Sequence, residues 1–179
     1  LNPLQAYYQN LSSTLPKKKG IRSSIVMNCN PMTNGHLYLI EKASKASTDV
    51  LLFLVEENRS IFDFEDRYKI VSKSICHLKN VHLIPSGPYI ISAATFPSYF
   101  LKSNSEVSKA YMDLDVKICS EKIMPLLEID YRYVGEEPLD LMTQNYNQTL
   151  FNALHERLII IPRIAYQGQT ISASYVRSL

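Results

Sequence analysis

Val50-Leu51-Leu52-Phe53-Leu54-Val55 is an unbroken apolar run with no polar residue at any alternate position. A strand with one wet face would alternate, so this run predicts a central strand of a parallel sheet, covered on both faces. Parallel neighbours need long crossovers, so helical segments must lie between the strands in sequence. The chain supplies them. Ser24–Asn28 predicts a first strand, followed by a helix from near Gly35 to Ala46 with Leu37, Ile40, Ala43 and Ser47 on one face. Asp63, three residues before Asp66, predicts the cap of a helix Phe64–Ile75 whose Tyr68, Val71 and Ile75 are spaced for burial. A third strand is expected at Asn80–Pro85, then a helix from Leu114 through Leu127 despite Pro125. Tyr131–Val134, a helix near Tyr146–Leu154, Leu158–Ile161 and a short helix Ser172–Leu179 complete the pattern.

Such alternation predicts an α/β, Rossmann-like doubly wound parallel sheet of about five strands with helices on both faces. Ligands of such sheets sit at the carboxyl ends of the strands, where the strand order reverses. Residues 1–20 stand apart. Leu4, Tyr7, Tyr8 and Leu11 have helical spacing, and Leu15-Pro16-Lys17 breaks it, so a connector helix and linker from a preceding domain absent here is expected. Residues 21–179 are then one domain, within reach of a chain of 179 residues.

Composition excludes several classes. Apolar content of 46% and charged content of 20% are those of a soluble globular protein. A net charge of +2 argues against a general nucleic-acid binder, and Lys17-Lys18-Lys19, between Pro16 and Gly20, reads as a solvated linker. The three cysteines, Cys29, Cys76 and Cys119, are far apart and form no C-x-x-C pair. Neither a disulfide framework nor a structural zinc site is expected, nor any metal held by the protein alone. No apolar run approaches the ~18 residues of a membrane span, and the amino end lacks a signal-peptide pattern. A cytoplasmic protein without nucleic-acid or membrane partners is the expectation.

The chemistry concentrates at the two ends. Ile25–Met27 stops at Asn28-Cys29-Asn30-Pro31, and Thr33-Asn34-Gly35-His36 leads into the first helix. A turn at a strand's carboxyl end that feeds a helix start is a ready anion site, because the first N–H groups of the helix have no intrahelical partner. His36 adds a hydrogen bond or a positive charge there. The familiar phosphate signatures are missing: with five glycines, the chain has no G-x-G-x-x-G and no G-x-x-x-x-G-K-[ST]. Dehydrogenase and P-loop chemistry are therefore disfavoured. At the other end stands Ile171-Ser172-Ala173-Ser174-Tyr175-Val176-Arg177. Alone, each segment has a plain reading: His36 and Ser-x-Ser as helix caps, Arg177 as a surface charge. Placed after the first and last strands, they form a specific pair.

That pair, T/H-x-G-H with a terminal I-S-S-T-x-x-R-like segment, resembles the signature of the nucleotidyltransferase superfamily of adenylyl-transferring enzymes. Within it, the chain is similar to the carboxyl-terminal catalytic domain of the citrate lyase ligase family. The closer match rests on Ile25–Pro31, Phe62–Arg67, Ser86–Phe100, Val134–Pro138 and Ile171–Arg177, and spans roughly residues 20–179. The resemblance implies that ATP and acetate give an acetyl-adenylate and pyrophosphate. The acetyl group would then pass to the prosthetic-group thiol of the acyl-carrier subunit of citrate lyase. It also implies Mg²⁺ on the triphosphate, held mainly by phosphate and water.

Site roles follow from the same resemblance. His36 and Thr33, with the amides after Gly35, would face the α- and β-phosphates, and Asn28, Asn30 and Pro31 would line the ATP site. Ser172 and Ser174 would hold the β- and γ-phosphates, with charge from Arg177 and from Arg59. Gly135 and Glu136 would contact the nucleoside, or form a strand-end turn with solvated acids. Ser92 and Thr95 would line the acetate pocket, or serve packing or docking. Arg67 is expected as a helix-surface ion pair, and His77, His82 and His155 have no role. Many superfamily members carry histidine where Thr33 stands, which shifts phosphate binding toward a hydroxyl donor. Two other readings remain: a phosphopantetheine-adenylyltransferase-like enzyme, and a nucleotide-binding module without turnover. A methyl-sized pocket discriminates by only ~1–3 kcal/mol, so acetate is not separated from another short acid.

Overall fold

A computed structural model of the chain describes residues 2–57, 61–90 and 106–179. Its strands are β1 Arg22–Met27, β2 Asp49–Leu54, β3 Val81–Pro85, β4 Tyr131–Gly135 and β5 Leu158–Ile161. They form one sheet in the order β3-β2-β1-β4-β5, parallel throughout. Every residue of β2 is buried, as its unbroken apolar run requires. Fully burying each of its leucines is worth about 1.5–3 kcal/mol.

Two layers of helix cover the sheet. On one face, α2 (Asn34–Ala46) and α3 (Phe64–Ser74) pack Leu39, Ile40, Ala43, Val71 and Ile75 against Ile25, Leu52, Leu54 and Tyr133. The other face carries α1 (Pro3–Thr14), α4 (Glu106–Ile118), α5 (Met124–Leu126) and α6 (Leu141–Leu154). Tyr8, Val116, Met124, Leu150 and Leu154 pack there with Leu51, Phe53 and Leu158. The doubly wound α/β arrangement expected from the sequence is thus present.

The helix starts are capped by short polar side chains. Asn2 accepts from the Gln5 N–H at 2.8 Å, Asp63 from Asp66 at 2.9 Å and Asp140 from Thr143 at 3.2 Å. Two helices begin earlier than their apolar spacing suggests, α4 at Glu106 and α6 at Leu141. The reason in α4 is an inverted face. Ser108, Met112, Asp115 and Val116 are buried, whereas Val107, Tyr111 and Leu114 are exposed. Between α4 and α5 lies a π-helical turn, Cys119–Ile123, ahead of Pro125, which has no N–H to give to the preceding turn.

A hairpin that the sequence reading lacks follows β5. Strands β6 (Ala165–Tyr166) and β7 (Gln169–Thr170) pair antiparallel across Gln167 (φ 51°) and Gly168 (φ 78°). Positive φ at both central residues is what a type I′ two-residue hairpin turn requires. The hairpin returns the chain to α7 (Ala173–Ser178).

The linker is fastened as well. Arg22 is 2% exposed; its Nε donates to Asp49 Oδ2 at 2.9 Å, and its guanidinium reaches Leu127 O and Pro16 O. Arg22→Ala would leave the Asp49 carboxylate buried without its cation. It is expected to cost about 3–5 kcal/mol, read as a lowered urea midpoint.

Candidate active site

The chain builds outward from β1 to β3 and then returns to lay β4 against the other edge of β1. The strand order therefore reverses between β1 and β4, the place where ligands of such sheets bind. The two strands are in register only at Ser23–Tyr131 and Ser24–Arg132, so they part toward their carboxyl ends. The β1–α2 turn and the loop after β4 stand on either side of the resulting crevice.

The turn is fixed by a reciprocal cap. Thr33 Oγ1 accepts from the His36 N–H at 3.4 Å, while the Thr33 N–H donates to His36 Nδ1 at 3.0 Å. Thr33 Oγ1 also lies 2.9 Å from Nδ1. A backbone N–H only donates, so Nδ1 is an acceptor and the ring proton resides on Nε2. Burial, with the Arg163 guanidinium as a second cause, pushes the His36 pKa down to about 4. The ring is thus a neutral hydrogen-bond donor, not a positive charge. Thr33 itself is buried, and its hydroxyl is committed to holding that ring.

The two terminal motifs meet at this turn. A Cβ on Gly35 would lie 3.5 Å from both Ile171 O and Thr33 Oγ1, so the backbone approach permitted there is to the carboxyl-terminal segment. Arg177 Nη1 donates to Asn30 O. Ser172 caps α7, accepting from the Tyr175 N–H at 3.1 Å. Ser174 lies in α7, with its side chain outside the description. The expected positions of Arg59, Ser92 and Thr95 also fall outside the described residues.

Arg163, to which the sequence reading gave no role, joins the pieces. Its Nε donates to Glu136 O at 2.8 Å, Nη1 to Ile171 O at 3.2 Å and Nη2 to Glu137 Oε2. The Glu136 N–H donates to Ile161 O at 2.9 Å. Both backbone groups of Glu136 are therefore engaged, and its side chain is exposed. Gly135 O accepts from Asn147 Nδ2 at 3.1 Å, and a Cβ there would meet only Leu39 Cδ2, at 3.9 Å. A signal for Arg163 existed: it follows Pro162 at the end of the last strand of the main sheet, on the ligand-binding edge.

Arg67, expected in a helix-surface ion pair, does not lie on the helix surface, and among the described residues it forms no ion pair. The residue is 1% exposed and donates to Asn28 O and Oδ1 at 2.8 and 3.0 Å. Asn30, joined to Pro31 by a cis peptide, accepts from the Phe62 N–H through Oδ1 at 3.2 Å. Asn28 and Asn30 therefore shape the turn through these bonds.

The arrangement offers fixed donors: the His36 Nε2–H, the first amides of α2 and the Arg177 guanidinium. Such groups stabilise oxyanions and perform no covalent chemistry themselves.

The lowered His36 pKa has a definite sign. The unfolded ring titrates near the ordinary 6.5, the folded ring near about 4, so the unfolded state binds more protons between these values. Stability is expected to be full above pH ~6.5 and to fall as pH drops toward ~4. The His36 ring resonances should not titrate between pH 8 and 6, and in Arg163→Met their midpoint should rise.

A family model, the citrate lyase ligase C-terminal domain, matches residues 22–179. A [citrate [pro-3S]-lyase] ligase from Klebsiella pneumoniae is 39% identical over 163 residues, covering 87% of this chain and 48% of that protein. The chain thus spans about half the length of that curated relative. A phosphopantetheine adenylyltransferase from Clostridium botulinum is 26% identical over 103 residues, 55% of this chain and 65% of that protein. This partial match does not favour the adenylyltransferase reading. In fold, pantothenate synthetase from Thermus thermophilus superposes with a TM-score of 0.61 at 14% identity, over 94% of this chain and 65% of that one. With the family model matching from the start of β1 to the last residue, the chain belongs to the citrate lyase ligase C-terminal domain family.

Proposed function

We propose that this chain is the catalytic domain of an ATP-dependent ligase that activates acetate and delivers it to citrate lyase. The observation that carries the reading is the meeting of Thr33–His36 with Ile171–Arg177 over the β1–β4 crevice, in a chain of this family. An acetate carboxylate oxygen would attack the α-phosphorus of ATP. The bond to the bridging oxygen of the β-phosphate breaks, giving acetyl-adenylate and pyrophosphate. The prosthetic-group thiol of the acyl-carrier subunit would then attack the acetyl carbonyl carbon. The thiol proton is released, AMP departs and a thioester remains.

Negative charge grows on the phosphoryl oxygens and on the departing pyrophosphate, so aimed donors are the main resource the protein must supply. The neutral His36 donor suits this task, because a proton held on Nε2 remains there across the working pH range. Arg177 and the start of α2 add charge and amides, and Ser172 and Ser174 would complete the β- and γ-phosphate side. Gly135 and Glu136 would lie toward the nucleoside, and Arg59, Ser92 and Thr95 keep their proposed places in the ATP and acetate sites. Mg²⁺ would be held on the triphosphate mainly by phosphate oxygens and water, the ligands a hard cation prefers.

In this reading residues 1–20 join the catalytic unit 21–179 to a preceding domain, with α1 docked on the unit as it does so. No helix among the described residues is long and apolar enough to cross a membrane, and the proposed place of action is the cytoplasm.

Acetate-dependent exchange of labelled pyrophosphate into ATP tests the first step. The purified chain should show it; ATP binding with no exchange for any short carboxylate would mean a module without turnover. Exchange that needs phosphopantetheine and ignores acetate would mean the adenylyltransferase instead. His36→Ala should slow exchange roughly 10²–10³-fold, about 2.7–4 kcal/mol, the range for losing one oxyanion donor.

A further inference from the structure

Arg67 is the most deeply placed cation near the site, and the proposed chemistry leaves it without a task. Its guanidinium donates to carbonyls on three sides. Asn28 O, just beyond β1, accepts at 2.8 Å and Val55 O, just beyond β2, at 2.9 Å. Glu57 O accepts at 2.7 Å and Phe62 O at 3.2 Å, one toward each end of the β2–α3 connection. Asn28 Oδ1 completes the set at 3.0 Å. Among the described residues, Arg67 forms no ion pair. Carbonyl dipoles satisfy its N–H groups, but they do not cancel a unit charge, and in a low-dielectric interior that charge acts over several ångströms.

Two further observations tie this charge to the anion site. Cys29, in the turn itself, has its thiol pushed up to about 12 by burial, with the Arg67 charge acting the other way. The hydrogen bonds also run in series: Arg67 Nε to Phe62 O, the Phe62 N–H to Asn30 Oδ1, and Arg177 to Asn30 O. One buried guanidinium is thus linked to both terminal motifs through Asn28 and Asn30.

We infer that Arg67 is a positioning residue for polyphosphate: it fixes the Asn28–Asn30 turn, and its unpaired buried charge is neutralised by the bound anion. The inference rests on the proposed function only in taking the anion to be that of a nucleoside triphosphate. A lysine keeps the charge without the planar fork, and a glutamine removes the charge, so the two replacements separate the parts of the role.

The test is calorimetric titration of the wild-type chain, Arg67→Lys and Arg67→Gln with inorganic pyrophosphate and with ATP plus Mg²⁺, alongside thermal unfolding of each. Arg67→Lys should weaken pyrophosphate binding roughly tenfold, through the lost fork geometry. Arg67→Gln should weaken it roughly a hundredfold, since the buried positive charge is lost as well as the fork. A lowered melting temperature with pyrophosphate affinity unchanged within about twofold would mark a merely structural residue and overturn the inference. Should neither variant fold, the Arg67 Nε–H resonance of the wild-type chain decides. It should move when pyrophosphate saturates the site, and an unmoved resonance overturns the inference. Pyrophosphate binding that depends on Arg67 in a chain with no acetate-dependent exchange would overturn the proposed function and leave this inference standing. A wild-type chain that binds neither probe overturns both.

Discussion

Arg163 is the interaction on which the candidate site depends. One guanidinium holds the carbonyl of Glu136, the carboxylate of Glu137 and the carbonyl of Ile171. These belong to segments that the sheet alone would leave apart. The strand ends β4 and β5 come from the sheet, but the carboxyl-terminal segment is a short hairpin and a helix of 6 residues with little core of its own. Without a polar tie it would have no fixed place beside the β1–α2 turn. Burial is the main reason His36 stays neutral and the Arg163 charge adds to it, so the residue that ties the crevice together also reinforces the protonation state of the donor within it.

His36 is both part of a reciprocal helix cap and the ring proposed to face phosphate, and the two roles are compatible because the cap uses only Nδ1 and the backbone N–H. The Thr33 amide and hydroxyl hold Nδ1, and that forces the proton to the far nitrogen. A threonine at the first motif position therefore decides which nitrogen of the histidine carries the proton.

Much of this was legible in the chain. The run Val50–Val55 demanded a strand with two covered faces, and β2 is buried along its whole length. The alternation of elements then led to the doubly wound sheet. What escaped detection has a common cause, which is polar side chains placed where periodicity cannot price them. The buried face of α4 includes Ser108 and Asp115, while its apolar Val107, Tyr111 and Leu114 face outward, so the helix start was missed. Arg67 resembles any charged residue on a surface helix until the carbonyls around it are known. Arg163 lay in plain view after the last strand of the main sheet, but its partners are brought near only by a hairpin turning on Gln167 and Gly168.

The amino-terminal helix changes what counts as one unit. The family model starts at residue 22, and the linker reading would let α1 be trimmed away. Yet Tyr8 is fully buried among Leu51, Phe53 and Leu127. Tyr7 packs edge-on against Tyr89, ring centroids 5.5 Å apart. The boundary drawn by sequence kinship and the boundary of the packed core therefore differ by a helix. A piece cut at the former would expose an apolar face of its own sheet, a surface of the kind that drives an isolated fragment to self-associate.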